Sequence, residues 1–525
     1  MSTKPSTENF TAEIERGYTF KGESFVLGGA MLDGQTLAGV HVKLPLGTLN
    51  RHGLIAGSTG SGKTKTLQII AEQLSKVGVP SLLMDVKGDL SGIARPSAGH
   101  PKIDERHAAI GLPFTPGGSP IEFLTLSDEP GVRLRATVSE FGPVLFSKVL
   151  DLNETQSGIV SVAFKYADDN KLPLLDLKDF RKLLQFLTDE GKDEVEKEYG
   201  RMSTASVGAI VRKLVGLEQQ GAELFFGEKS FDVDDLVRID ELGRGIVSVL
   251  RLTDIQDRPK LFSTFMLQLL AEVYATFPEQ GDADRPKLVI FIDEAHLVFS
   301  EASDALLDQI EAIVKLIRSK GVGLFFVTQN PADIPNEVLG QLGLKIQHSL
   351  RAFTAKDRKA IKLAAENYPL TDYYEVDELL TKLGIGEALV TTLSEKGIPT
   401  PLAHTMLRAP ESRMDVLTAG EIDTVVKHSR LVAKYAKAVD RESAHELLNE
   451  KIEKAQEAER QQELREEREK AAAKTEQSRS RRNTSRRKEK SMLEQVMGSS
   501  SGRQLSRTIG RELVRGLMGI LGGRK

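Results

Sequence analysis

The chain of 525 residues contains no cysteine. Disulfides and thiolate metal sites are therefore excluded, and a reducing cytoplasm is the compartment that fits. Neither sign of charge dominates: 71 Lys and Arg face 75 Asp and Glu, a net charge of −4. The whole molecule thus lacks the cationic excess of a nucleic-acid coat, although a balanced total leaves room for a local basic patch. No apolar run approaches the length of a membrane span. The opening Met1-Ser2-Thr3-Lys4-Pro5 lacks the apolar core of a signal peptide. A soluble intracellular protein is expected, with peripheral membrane contact left open. The length is too great for one ordinary core, so two or more units are expected.

Against these absences, one segment stands out. Gly57-Ser58-Thr59-Gly60-Ser61-Gly62-Lys63-Thr64 has the pattern of a phosphate-binding P-loop. The apolar Leu54-Ile55-Ala56 precedes it, and the helix-like Thr66-Leu67-Gln68-Ile69-Ile70-Ala71 follows. Glycines let the backbone curl so that successive N–H groups aim at phosphate oxygens, and the helix N-terminus adds partial positive charge. In this pattern Lys63 reaches the β- and γ-phosphates, and Thr64 holds Mg²⁺ through its hydroxyl. Lys65 completes the set of candidate ATP-binding residues.

Lys287-Leu288-Val289-Ile290-Phe291-Ile292-Asp293-Glu294-Ala295-His296 reads as a buried parallel strand that ends in two carboxylates. Asp293 is the candidate Mg²⁺-shell ligand, and Glu294 the candidate base that orients water. The division has a physical reason: a carboxylate close to Mg²⁺ is too stabilised as an anion to accept a proton well. His296 reads first as a packing or hydrogen-bonding residue. A further apolar strand, Gly321 to Thr328, ends at Gln329, placed to sense the γ-phosphate or the attacking water. Between them, Leu306, Ile310, Ile313, Val314 and Ile317 fall at helical spacing, and Arg318 and Lys320 close the helix. Cations there often serve only as dipole partners. Arg318 is nevertheless the first candidate for an arginine acting on a neighbour's nucleotide, and Arg351 the second.

This order of motifs, with Arg318-Ser319-Lys320-Gly321-Val322-Gly323 ahead of Val327-Thr328-Gln329, resembles the HerA/FtsK group of ring-forming ATPases. Met84-Asp85-Val86-Lys87-Gly88-Asp89-Leu90-Ser91-Gly92 makes it more similar to the bacterial HerA-like proteins. The resemblance covers most of the chain from about residue 20. It implies an α/β fold with a RecA-like P-loop core and a central, mostly parallel sheet. It also implies a hexameric ring with Mg²⁺-dependent ATP hydrolysis between subunits and Arg318 acting in trans. The sequence departs from the family in two places. The segment ahead of the P-loop is short for the β-barrel of the archaeal proteins, and a double basic pair is replaced by Arg318-Ser319.

Along the chain, residues 1–16 are polar and expected to be mobile. Residues 17–94 carry a few short strands and the P-loop half of the core. Residues 95–240 are too many for a loop and read as a mostly helical insertion, with Leu177 to Leu187 and Val207 to Leu217 as helices. Asp85 faces the nucleotide, an intersubunit contact, or simply its own turn. Residues 241–410 hold the second half of the core and finish with a hairpin after Leu389. Charged helices are expected over 411–475, a basic disordered linker over 476–500, and a basic amphipathic helix over 501–525, where Leu505, Ile509, Leu513, Leu517 and Leu521 recur.

Two functions from different classes emerge. One is a ring ATPase that moves a polymer, with DNA the polymer the resemblance implies. The other is an ATP-switched oligomeric scaffold that binds a partner protein through its C-terminal tail.

Overall fold

Short apolar runs bounded by glycine or polar residues recur along the chain and all find places in one sheet. The computed structural model describes residues 6–254, 258–281, 283–299, 304–435, 439 and 441–484. The strands are β1 (Ser24–Leu32), β2 (Gln35–Pro45), β3 (Gly53–Ala56), β4 (Ser81–Asp85), β5 (Ile121–Thr125) and β6 (Val132–Arg133). They continue with β7 (Val247–Arg251), β8 (Leu288–Ile292), β9 (Val322–Thr328), β10 (Leu344–Gln347), β11 (Glu387–Thr391) and β12 (Ala403–Leu407). Their order is β2-β1-β12-β11-β10-β3-β9-β8-β4-β7-β5-β6.

From β10 to β6 every pairing is parallel. From β10 to β2 every pairing is antiparallel. The central strands β3, β4, β8 and β9 are buried along their whole length, which explains their unbroken apolar sequences. β9 lies between the P-loop strand β3 and the carboxylate strand β8. This inserted strand is the RecA-like arrangement, so the fold is the α/β P-loop class that the motifs predict.

The helix Lys63–Lys76 follows the P-loop and buries Leu67, Ile70, Ala71 and Leu74 in the main core, beside Ile55, Leu83 and Phe291. Leu67, Ile70 and Leu74 each contribute about 1.5–3 kcal/mol when removed from water. The loop between β3 and this helix therefore has a rigid base.

The described residues form two compact units. Those of 1–151 and 215–439 make the first, which holds the sheet; those of 152–214 and 440–525 make the second. In the second, Asp179 accepts the His445 backbone N–H at 2.9 Å, and Ala444 N–H donates to Pro173 O at 2.9 Å. The helices Glu154–Asp169, Leu177–Thr188 and Lys192–Tyr199 lie in this unit with the described part of Ala444–Thr484.

Several expectations need correction. Residues 7–17 form a helix, Thr7–Gly17, not a mobile tail. Phe10 and Ile14 are buried one turn apart, and Phe10 meets Tyr373 edge-on; a short helix whose apolar side is two residues wide gives little periodic signal. The segment 95–240 is not purely an insertion, because β5 pairs with β7 and extends the central sheet. An isolated five-residue apolar run does not reveal by periodicity whether it is strand or helix. The helix Ala444–Thr484 runs through part of the segment read as a linker. The rest of that segment and the amphipathic helix expected over 501–525 lie outside the described residues.

Candidate nucleotide site

A parallel strand delivers whatever follows it to the carboxyl edge of the sheet, and β3, β8 and β9 all point the same way. Gly57, leaving β3, donates its N–H to Thr328 O at the end of β9, 3.2 Å away, and Ser58 N–H donates to Ser349 O at 2.8 Å. Gly57 has φ 153°, and a Cβ there would stand 2.5 Å from His348 Cβ. Glycine is required on both counts. Ser61 N–H and Oγ both donate to Ser58 O, at 3.2 and 2.7 Å, closing the loop on itself. Thr59 and Gly60 are exposed at its tip. Gly62, with φ 115°, starts the helix, and no side chain caps it. The free N–H groups of that first turn are an anion site in waiting.

Lys63 is buried, and its Nζ donates to Gly57 O at 2.6 Å and Ser58 O at 3.1 Å. Burial and the nearby Lys87 lower its pKa, while Glu294 and Asp293 raise it. The last two effects mean that the P-loop lysine and the acidic pair share one electrostatic neighbourhood. Thr64 is partly exposed at the second helical position. Lys65 behaves differently: its Nζ donates to Met414 O at 2.6 Å and Gln68 Oε1 at 3.2 Å. Its ammonium is committed to the chain that follows the sheet, and only its backbone remains for the loop.

Asp293 directly follows β8 and is 1 % exposed. Its Oδ2 is buried with no hydrogen-bond partner. Burial pushes its pKa up to about 7, against the pull of Lys87. Glu294 sits in the left-handed region at φ 47°, a conformation that non-glycine residues seldom adopt. Burial opposes its charge, but an ion pair with Lys87 outweighs burial and holds the carboxyl below the usual range. His296 Nδ1 lies 3.2 Å from Glu294 Oε2 without forming a hydrogen bond. The next residue in the chain, Ala295, donates its N–H to Val327 O on β9 at 2.9 Å and so pins the turn.

The orphaned Asp293 oxygen, the uncapped helix start and the buried Lys63 fit a triphosphate with a hard divalent cation. Thr64 and Asp293 supply the hydroxyl and carboxylate oxygens that Mg²⁺ prefers. The chemistry available is anion binding together with a carboxylate, Glu294, able to orient water.

Gln329 is the exposed residue directly after β9, between the P-loop and carboxylate strands in sheet order. Arg318 is not brought to this edge. It lies in the turn Arg318–Lys320, ahead of the start of β9, whose length of roughly 20 Å separates it from the carboxyl edge. Arg351, exposed, follows β10 at the same edge as the P-loop. Asp85 resolves to its turn: it accepts N–H bonds from Gly88, Asp89 and Leu90 at 2.7, 3.1 and 3.2 Å. Burial raises its pKa to about 6.

Two residues escape the sequence reading. Lys87 is noticed there only as part of a family-like segment, and its pairing with Glu294 depends on β4 lying beside β8. His348 is buried behind the P-loop with Nε2 2.9 Å from Thr66 Oγ1. The one signal available was position, since each follows a strand end in a parallel sheet.

Comparison with known proteins finds a matching family and several similar chains. The model of the helicase HerA-like C-terminal family matches residues 31–525. The DNA double-strand break repair helicase HerA of Sulfurisphaera tokodaii is 26 % identical over 357 residues, covering 67 % of this chain and 64 % of that protein. Its namesake in Sulfolobus acidocaldarius is 23 % identical over 362 residues, with the same 67 % and 64 % coverage. The match therefore spans a little under two thirds of the length of these relatives. Among solved structures, the bacterial conjugative coupling protein TrwB in its unbound form is 13 % identical, covers 78 % of this chain and 94 % of its own, and has a TM-score of 0.49. VirB4 of Thermoanaerobacter pseudethanolicus is 17 % identical, with 74 % and 97 % coverage and a TM-score of 0.47. The match across residues 31–525 makes this chain a member of the helicase HerA-like C-terminal family.

Proposed function

We propose that this chain is an ATP-hydrolysing motor that assembles as a ring, a hexamer by analogy with its family, and moves along DNA. The observation that carries the hydrolytic part is the convergence of Lys63 with Asp293 and Glu294 at one sheet edge. The DNA part is supported by the relatives, which are named as DNA double-strand break repair helicases. The reducing cytoplasm suits a cysteine-free chain, and no helix among the described residues is long and apolar enough to cross a membrane.

In this reading the loop Gly57 to Thr64 wraps the phosphates through its N–H groups, joined by the backbone of Lys65. Lys63 exchanges its carbonyl partners for β- and γ-phosphate oxygens. Thr64 and Asp293 would hold Mg²⁺, which would supply positive charge beside the phosphates. Glu294 accepts a hydrogen bond from the attacking water and orients it in line with the γ-phosphate. Gln329 senses that phosphate from the neighbouring strand, and Arg318 reaches it from an adjacent subunit.

The test is ATP turnover by the full chain with and without duplex DNA, alongside Lys63→Ala and Glu294→Gln. Turnover stimulated by DNA is expected. Glu294→Gln should lower it about 10²–10⁴-fold while ATP still binds, and Lys63→Ala should abolish binding. Turnover indifferent to every form of DNA would remove the translocase reading. ATP-dependent assembly with negligible turnover would instead favour an ATP-switched scaffold.

A further inference from the structure

Lys87 lies on the loop after β4, the strand adjacent to β8. Its ammonium makes an ion pair with Glu294 Oε1, and His296 Nδ1 stands 3.2 Å from Oε2. Oε1 of the carboxylate assigned to the attacking water is thus ion-paired with the ammonium, while Oε2 has the ring nitrogen near it without a hydrogen bond. The ammonium draws negative charge from Oε1 and competes for the lone pairs that would receive the water's hydrogen, so it weakens the base that orients attack.

The two partners differ in freedom. Glu294 is buried, its backbone is held in the left-handed region, and the following N–H is tied to β9. The loop of Lys87 is also fixed, since Asp85 accepts three consecutive N–H bonds from Gly88 to Leu90. Gly88 packs so closely that a Cβ would meet Thr253 Cγ2 at 2.8 Å. The lysine side chain itself is 38 % exposed, against 7 % for the glutamate. Its flexible four-carbon stem is therefore the part able to move. Lys63 and Lys87 also repel one another across the site. An anion placed between them relieves that repulsion and competes with Glu294 for the Lys87 ammonium.

We propose that Lys87 is a brake on Glu294: its ammonium must pass from Oε1 to the terminal phosphate of a bound nucleoside triphosphate before Glu294 orients water. This rests on the reading of Glu294 as the water-orienting base. A nucleoside diphosphate, lacking the terminal phosphate, leaves the ion pair in place. Lys87 is in this sense a positioning residue, acting on the reaction through Glu294.

The test is steady-state ATP hydrolysis and direct ATP and ADP binding by the full chain, comparing Lys87→Met, Lys87→Gln, Lys87→Arg and Glu294→Gln. Removing the ammonium should raise kcat roughly three- to tenfold and raise KM for ATP by a similar factor. ADP affinity should stay unchanged, and Lys87→Arg should return kcat towards the unmodified value. The double variant Lys87→Met with Glu294→Gln should be as inactive as Glu294→Gln alone. A kcat that falls or does not move in both neutral variants overturns the brake, as does an equal loss of ADP affinity. If the unmodified chain binds ATP without hydrolysing it, the role given to Glu294 fails first, and the brake with it.

Discussion

Thr66 Oγ1 and His348 Nε2 lie 2.9 Å apart, both buried, and join the P-loop helix to the segment after β10. Thr66 Oγ1 is also 3.2 Å from Gly62 O, as donor to that carbonyl. The hydroxyl then accepts from His348, which places the imidazole proton on Nε2. Burial, reinforced by Lys63, lowers the His348 pKa to about 4, so the ring is neutral at physiological pH. A neutral ring beside Lys63 avoids a like-charge contact under the phosphate cradle.

His348→Leu removes the hydrogen bond and keeps an apolar side chain against Gly57. A loss of about 1 kcal/mol of stability is expected, the scale of one buried hydrogen bond, since the Thr66 hydroxyl still donates to Gly62 O. Nucleotide affinity should fall with it, because the base of the loop loosens. Thermal unfolding and ATP titration of the variant check this; unchanged affinity would show that the loop needs no support from below.

His52 offers a pH prediction. Its Nε2 is 2.8 Å from Val314 O, so Nδ1 is free to accept Leu324 N–H at 3.0 Å. Burial depresses its pKa to about 4. The unfolded chain takes up this proton near pH 6.5 and the folded chain only near pH 4. Between those values the unfolded state binds more protons, so stability falls as pH falls. His52 should account for about 3 kcal/mol of that loss. His52→Asn removes the titrating ring; at φ 59°, ψ 167° the backbone is strained for either residue, and any loss from the substitution itself is independent of pH. The difference between the two pH–stability curves over pH 4–6.5 isolates the histidine; parallel curves would refute its assignment.

Arg318 is separated from its own P-loop by the length of β9. If it works on a nucleotide, that nucleotide belongs to another subunit. Arg318→Ala should retain ATP binding and lose turnover by about 10³-fold or more. Mixing it with Lys63→Ala chains should recover part of the activity, since some interfaces then pair an intact loop with an intact arginine. Normal turnover by Arg318→Ala, or no recovery on mixing, would transfer attention to Arg351.

Much of this was legible in the linear chain. The P-loop residues Gly57 to Thr64 are eight consecutive positions in a single loop, so their pattern survives without tertiary context. The carboxylates at 293 and 294 were visible for a similar reason: a strand buried on both faces is an unbroken apolar run, and its end is marked by the first charges. The helix Thr7–Gly17 and strand β5 were not legible, because each is short and takes its stability from distant partners.

By itself the sequence determined the class of chemistry, since glycine spacing, Lys63 and the acidic pair are local requirements of phosphate binding. Only the tertiary structure decided which groups share the site. Strand order, set by long-range pairing, carried Lys87 to Glu294 and His348 beneath the loop, turned Lys65 toward Met414, and left Arg318 at the opposite edge. No periodicity along the chain encodes such neighbours, because the free energy that selects them comes from burying whole strands against one another.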